Sequence, residues 1–98
     1  MNFKTIDSQE AKALIADENA IVIDIRDAES YEDGHIENAI RVDESNAQNF
    51  INNANKERPL IVCCYRGNMS KNAAEHFFNA GFRRSFSLNG GYNGWPTD

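Results

Sequence analysis

The chain has 98 residues, enough for one compact domain over 1–98 and not for two. Hydrophobic residues make up 41 %, which supports a core and excludes wholesale disorder. The net charge of -5 speaks against nucleic acid as the main partner, and no apolar run approaches the ~20 residues that span a bilayer.

Phe3 to Ile6 reads as a short edge strand. Asp7, with Glu10 three residues on, has the form of a capping box, and Ala11, Leu14 and Ile15 continue at helical spacing. Residues 8–17 are therefore predicted as an amphipathic helix that ends at Asp17-Glu18-Asn19. Ala20 to Ile25 is apolar and β-branched without alternation, the pattern of a strand buried on both faces of a parallel sheet. Arg26-Asp27 close it, and Ser30 to Gly34 reads as a helical turn stopped by the glycine. Ile36 and Ala39 to Val42 suggest a return to the sheet.

Asp43 or Ser45 is expected to cap the next helix, whose apolar face is Ala47, Phe50, Ile51 and Ala54 at i, i+3, i+4 and i+7. After Pro59, residues 60–63 form another buried strand. A polar loop leads into a helix from Ser70 to Ala80, with Ala73, Ala74, Phe77 and Phe78 inward and Gly81 at its C′ position. Ser85 to Leu88 is a last strand, Asn89-Gly90-Gly91 a sharp turn, and Tyr92 to Trp95 one helical turn. Strands that alternate with helices in this way predict a single α/β domain, a mostly parallel sheet covered on both faces. Sites in such sheets form beyond the carboxyl ends of the strands.

Cys64 stands at such an end, facing the start of a helix. Free amides and the helix dipole favour negative charge there, and the thiolate is the nucleophilic form of a cysteine. Gly67 allows successive N–H groups to turn inward as an anion nest. Cys63 still lies within the apolar run, and alternation along a strand turns it to the opposite face, into the core. Arg66 and Lys71 are the nearest cations, either drawing an anionic substrate or simply facing solvent. Ser70 is expected to cap the helix, with donation to a bound anion as its other use. Asp24 and Arg26, alternate residues at a strand end, share a face and are expected to pair as structure. His35, between Gly34 and Ile36, is read as a loop-tying residue in preference to a catalytic base, and His76 receives no role.

Two adjacent cysteines and two distant histidines do not make zinc-ligand spacing. No phosphate-loop or dinucleotide fingerprint is present. Neighbouring cysteines cannot staple distant segments, and the N-terminus lacks the apolar core of a signal peptide, so a reducing cytoplasmic setting is expected.

Three stretches together resemble the rhodanese-type sulfurtransferases, especially the short single-domain thiosulfate sulfurtransferases. They are Ile23 to Asp27 with Tyr31 and Gly34 to Ala39, then Cys64 to Ser70, then Leu88 to Trp95. The resemblance implies a parallel five-stranded sheet flanked by helices. It also implies a double displacement. Cys64 takes a sulfane sulfur from thiosulfate as a persulfide and passes it to cyanide or to a thiol acceptor, small or protein, such as thioredoxin. It implies no metal or organic cofactor. The substrate-binding role falls to the loop amides after the cysteine, from Tyr65 through Arg66, Gly67, Asn68 and Met69 to Ser70. Arg66 and Met69 depart from residues common in short members.

Two alternatives stay open. Phosphatases and arsenate reductases on the same scaffold need a longer loop with an Arg after five intervening residues, where this chain has Ser70. A non-catalytic interaction module or a sulfur relay on the same fold is the other, and inactive modules characteristically lack the loop cysteine that is present here.

Overall fold

The computed structural model describes residues 3–96, and Met1, Asn2, Thr97 and Asp98 lie outside them. Five strands form one sheet in the order β1-β5-β4-β2-β3: β1 Lys4–Ile6, β2 Ile21–Asp24, β3 Ile40–Arg41, β4 Leu60–Cys63 and β5 Ser85–Leu88. Every pairing is parallel. The register sets Asp24 opposite Cys63 at the carboxyl ends of β2 and β4. All four residues of β2 and of β4 are buried, as the apolar runs 21–23 and 60–63 require, with Asp24 the one charged member.

The helices are α1 Ser8–Glu18, α2 Ala28–Asp33, α3 Ala47–Asn53 and α4 Met69–Asn79, with a 3-10 turn at Tyr92–Gly94. The capping box at the start of α1 is complete: Glu10 N–H donates to Asp7 at 2.8 Å, and Asp7 N–H donates to Glu10 at 3.1 Å. Asn19 ends that helix in the left-handed region. At the end of α4, Gly81 N–H donates to Phe78 O and Phe82 N–H to Phe77 O, the paired bonds of a Schellman stop.

Alternation divides the core between the two sheet faces. Val22, Ile61, Cys63 and Leu88 pack with Ala11 of α1, Ile36 and Ala39 on one face. Ile21, Ile23, Leu60 and Val62 pack with Ile51 of α3 and Ala74 and Phe77 of α4 on the other. Phe50, Phe77 and Phe82 fill that second layer with ring contacts between 5.7 and 5.9 Å, Phe50 stacked on Phe82 and edge-on to Phe77.

Two local expectations need correction. Neither Asp43 nor Ser45 caps α3. Asp43 accepts the Ser45 N–H in a tight polar turn, and the N-cap position falls to Asn46. The Asn46 side chain instead accepts from Asp43 N–H and donates to Arg41 O, which cuts the return to the sheet to the two residues of β3. α3 is correspondingly short, and Ala54 lies just past its end. Gly34 does end α2, as expected, and it does so with φ 168°, which is extended backbone open to any residue. A Cβ there would stand 2.9 Å from Tyr92 Oη, so a larger residue would displace that ring.

Candidate active site

β4 ends at Cys63, and Cys64 is the first residue beyond it. Counting alternately from Leu60 and Val62 places Cys64 on the face covered by α4. The loop 65–68 then folds over the sulfur. Gly67 N–H and Ser70 N–H each donate to Cys64 Sγ at 3.2 Å. Gly67 has φ +98°, and a Cβ there would lie 2.9 Å from Gly90 N and 3.1 Å from Leu88 O. That backbone is closed to other residues twice over, by conformation and by space. Burial alone would raise the Cys64 pKa. The Ser70 hydroxyl and the N–H groups of Ser70, Gly67 and Arg66 outweigh it and hold the thiol below its ordinary value.

Cys63 is the opposite case. It is fully buried against the other core layer, and burial followed by the charge of Asp24 pushes its thiol up to about 12. Both cysteines are free.

The turn after β5 underlies the loop. Tyr92 N–H donates to Cys64 O at 2.8 Å, and Asn93 N–H donates to Tyr65 O at 3.1 Å. A Cβ at Gly91 would lie 2.5 Å from Cys64 O, so the two backbones touch only because the residue is glycine. The third sequence motif thus supplies no chemical group. It fixes the peptide units that carry the thiol.

The first motif braces the same loop from the other side. Arg26 grips Asp24 through Nε at 3.0 and 3.1 Å and through its terminal nitrogen at 2.7 Å, and reaches Gly34 O at 2.7 Å. The pair is buried, in line with the structural role read from the sequence. The Arg26 guanidinium lies 4.5 Å from the Tyr92 ring and 6.0 Å from the Tyr65 ring. Tyr65 Oη donates to Asp27, the N-cap of α2, and with the Ser30 hydroxyl and N–H it holds the Asp27 carboxyl far below its usual range. His35 stacks on Tyr31 at 3.8 Å, and its Nδ1 meets Tyr31 O at 2.7 Å, the loop-tying use expected of it.

The sequence reading of Ser70 as a cap does not hold. Ser70 is fully buried in the first turn of α4, its hydroxyl bonded to Ser87 Oγ at 2.7 Å, and the N-cap Asn68 makes no side-chain bond. Two contacts escaped sequence reasoning, Tyr65 to Asp27 and Ser70 to Ser87. They join residues 38 and 17 apart, and no local spacing signals such a pair. Around the buried sulfur the rim is exposed: Arg66, Asn68, Met69 at 53 % and Lys71. Among the described residues neither Arg66 nor Lys71 forms an ion pair, and none gathers three or more metal-ligating side chains. A cavity of about 740 Å³ lies at the other end of β2, beside Asn19, Asn49 and Phe50, and contains no thiol or histidine.

A thiol that accepts from two loop amides at the carboxyl edge of a parallel sheet marks an α/β protein with its candidate site at that edge. The Rhodanese-like domain family matches residues 7–98, and the chain belongs to that family. It is 42 % identical over 95 residues to thiosulfate sulfurtransferase GlpE of Pseudomonas entomophila, spanning 97 % of this chain and 86 % of that one. It is 37 % identical over 97 residues to the protein of the same name from Coxiella burnetii, spanning 99 % and 91 %. A rhodanese-like domain protein of Staphylococcus aureus shares the fold with a TM-score of 0.80 at 24 % identity, over 98 % of this chain and 94 % of that one.

Proposed function

We propose that the protein is a thiosulfate sulfurtransferase and that Cys64 is its catalytic residue. The observation that carries this reading is the pair of 3.2 Å bonds from Gly67 and Ser70 N–H to Cys64 Sγ, on a chain whose relatives bear that activity in their names. The Cys64 thiolate attacks the outer sulfur of thiosulfate. The sulfur–sulfur bond breaks, sulfite leaves with its electron pair, and Cys64 holds an anionic persulfide. Cyanide carbon, or a thiolate, then attacks the outer sulfur and regenerates the Cys64 thiolate. The charge stays on sulfur throughout, so a ring of fixed donors stabilises every stage without moving a proton.

The amides from Tyr65 to Ser70 form the substrate-binding cup, with Arg66, Gly67, Asn68 and Met69 between them. Arg66 and Lys71, exposed and unpaired among the described residues, attract the dianionic donor. The phosphatase reading is disfavoured by Ser70, whose side chain is buried against Ser87 where a phosphoryl clamp needs a guanidinium. No described helix is long and apolar enough to cross a membrane, and the two free thiols suit the reducing cytoplasm, where a protein thiol such as thioredoxin is available as acceptor. The test is steady-state kinetics with thiosulfate and cyanide. Equal release of sulfite and thiocyanate with ping-pong patterns is expected. Turnover that requires both substrates bound at once would contradict the persulfide route.

A further inference from the structure

Ser85 and Ser87 both lie on the α4 face of β5, and they use their hydroxyls differently. Ser85 donates to Ala74 O at 2.7 Å, an ordinary bond from strand to helix. Among the described residues the Ser87 hydroxyl meets only that of Ser70, at 2.7 Å, and both residues are fully buried. Two hydroxyls carry two protons, and their mutual bond uses one. The second proton needs an acceptor in a site closed to water.

With Ser70 as the donor, the Ser87 proton has no second hydrogen-bond partner among the described residues. If Ser87 is the donor, the Ser70 proton is free to turn to Cys64 Sγ, which already receives the Ser70 N–H at 3.2 Å. We propose that Ser87 is a positioning residue for the sulfur-carrying thiol: it donates to Ser70 and thereby directs the Ser70 hydroxyl proton onto Cys64. The chain of donors runs Ser87 to Ser70 to sulfur, and each bond strengthens the next.

The remaining groups around Cys64 do not provide this. Asp24 and Arg26 lie on the other sheet face beside Cys63, Tyr65 is tied to Asp27, and Arg66 and Lys71 stand at the exposed rim. The Ser70 hydroxyl is also among the groups that hold the Cys64 thiol below its ordinary value. The inference rests on the reading of Cys64 as the sulfur carrier, but its test does not depend on turnover.

The test is the pH dependence of Cys64 alkylation by iodoacetamide, with the modified peptide located by mass spectrometry. It is run on the wild type, Ser87→Ala, Ser70→Ala and the double variant. Ser87→Ala should raise the thiol pKa, cutting the thiolate present at neutral pH by about threefold, or about half a pH unit. In the Ser70→Ala background the same change should do nothing further. Ser87→Thr, which keeps the hydroxyl, should restore the wild-type titration. An unchanged pKa in Ser87→Ala, or an equal shift with and without Ser70, overturns the relay. Should Ser87→Ala fail to fold, an unchanged pKa in Ser70→Ala overturns it as well. Failure of the wild type to take up sulfur from thiosulfate would instead sink the sulfurtransferase reading and leave the titration result standing.

Discussion

Cys63 and Cys64 are chemically identical neighbours held in opposite states. Cys63 closes β4 and looks into the layer of Val22, Ile61 and Leu88, where burial raises its thiol to about 12. Cys64 looks the other way, and loop amides lower its thiol despite burial. A single step along an extended backbone turns a side chain through the sheet. Depth does not separate the two, since they are 0 % and 1 % exposed. What differs is the supply of donors: one sulfur donates to the Cys64 carbonyl at 3.6 Å, and the other receives two N–H groups. On this scaffold the polar cup favours the thiolate, whereas removal from water by itself favours the thiol.

The largest way to break the contrast is to exchange sulfur for oxygen at each position. Cys64→Ser should lower sulfur transfer by about 10⁴-fold or more, since a hydroxyl neither ionises at neutral pH nor forms a persulfide. Cys63→Ser should keep kcat within about twofold and cost about 1–3 kcal/mol of stability for a hydroxyl buried in an apolar layer, read from thiocyanate formation and urea unfolding. Equal loss of activity in both variants would refute the assignment by strand face.

Next comes the cup itself. Gly67→Ala forces a Cβ to within 2.9 Å of Gly90 N, so the Gly67 amide must leave the sulfur. A loss of about 10²-fold in kcat is expected, with the pH at which Cys64 alkylates shifted upward. A variant with intact activity would mean that the amide is dispensable.

The contrast is also legible in pH. Activity should fall as pH drops through the lowered Cys64 pKa, because protonation removes the nucleophile. Cys63 acts on stability in the alkaline range. Its folded pKa of about 12 lies above the ordinary 9.0, so its contribution is fully present below pH 9. Between those values the unfolded chain loses the proton that the folded one keeps, and stability falls by about 1.4 kcal/mol per pH unit. Cys63→Ala should remove that part of the alkaline slope in urea midpoints, and an unaltered slope would contradict it.

The smallest effect is expected at the rim. Arg66→Ala should raise KM for thiosulfate about three- to tenfold with kcat nearly unchanged, because an exposed cation attracts the donor without touching the reacting bond. An unchanged KM would place Arg66 among ordinary surface charges.

Much of this design was readable before folding, for local reasons. The apolar runs 21–23 and 60–63, the Asp7–Glu10 box and the Gly81 stop each depend on residues a few positions apart. So did the opposition of Cys63 and Cys64. What escaped was set by distant partners or by bonds among polar neighbours. Asp43 is taken up by Ser45 N–H, and Asn46, at the N-cap position, turns its side chain back to Asp43 N–H and Arg41 O. The ring that a Cβ at Gly34 would meet belongs to Tyr92, and the partner of Ser70 is Ser87 on another strand. The glycines of the third motif were visible as a turn, while their use, pressing against the peptide of Cys64, follows only from the sheet order β5-β4.

Intact-protein mass spectrometry after thiosulfate and then cyanide tests the central claim most directly, on the wild type beside Cys64→Ser and Cys63→Ser. A gain of one sulfur atom is expected in the wild type and in Cys63→Ser, lost on adding cyanide, with no gain in Cys64→Ser. A gain that survives Cys64→Ser, or that disappears with Cys63→Ser, would contradict that claim.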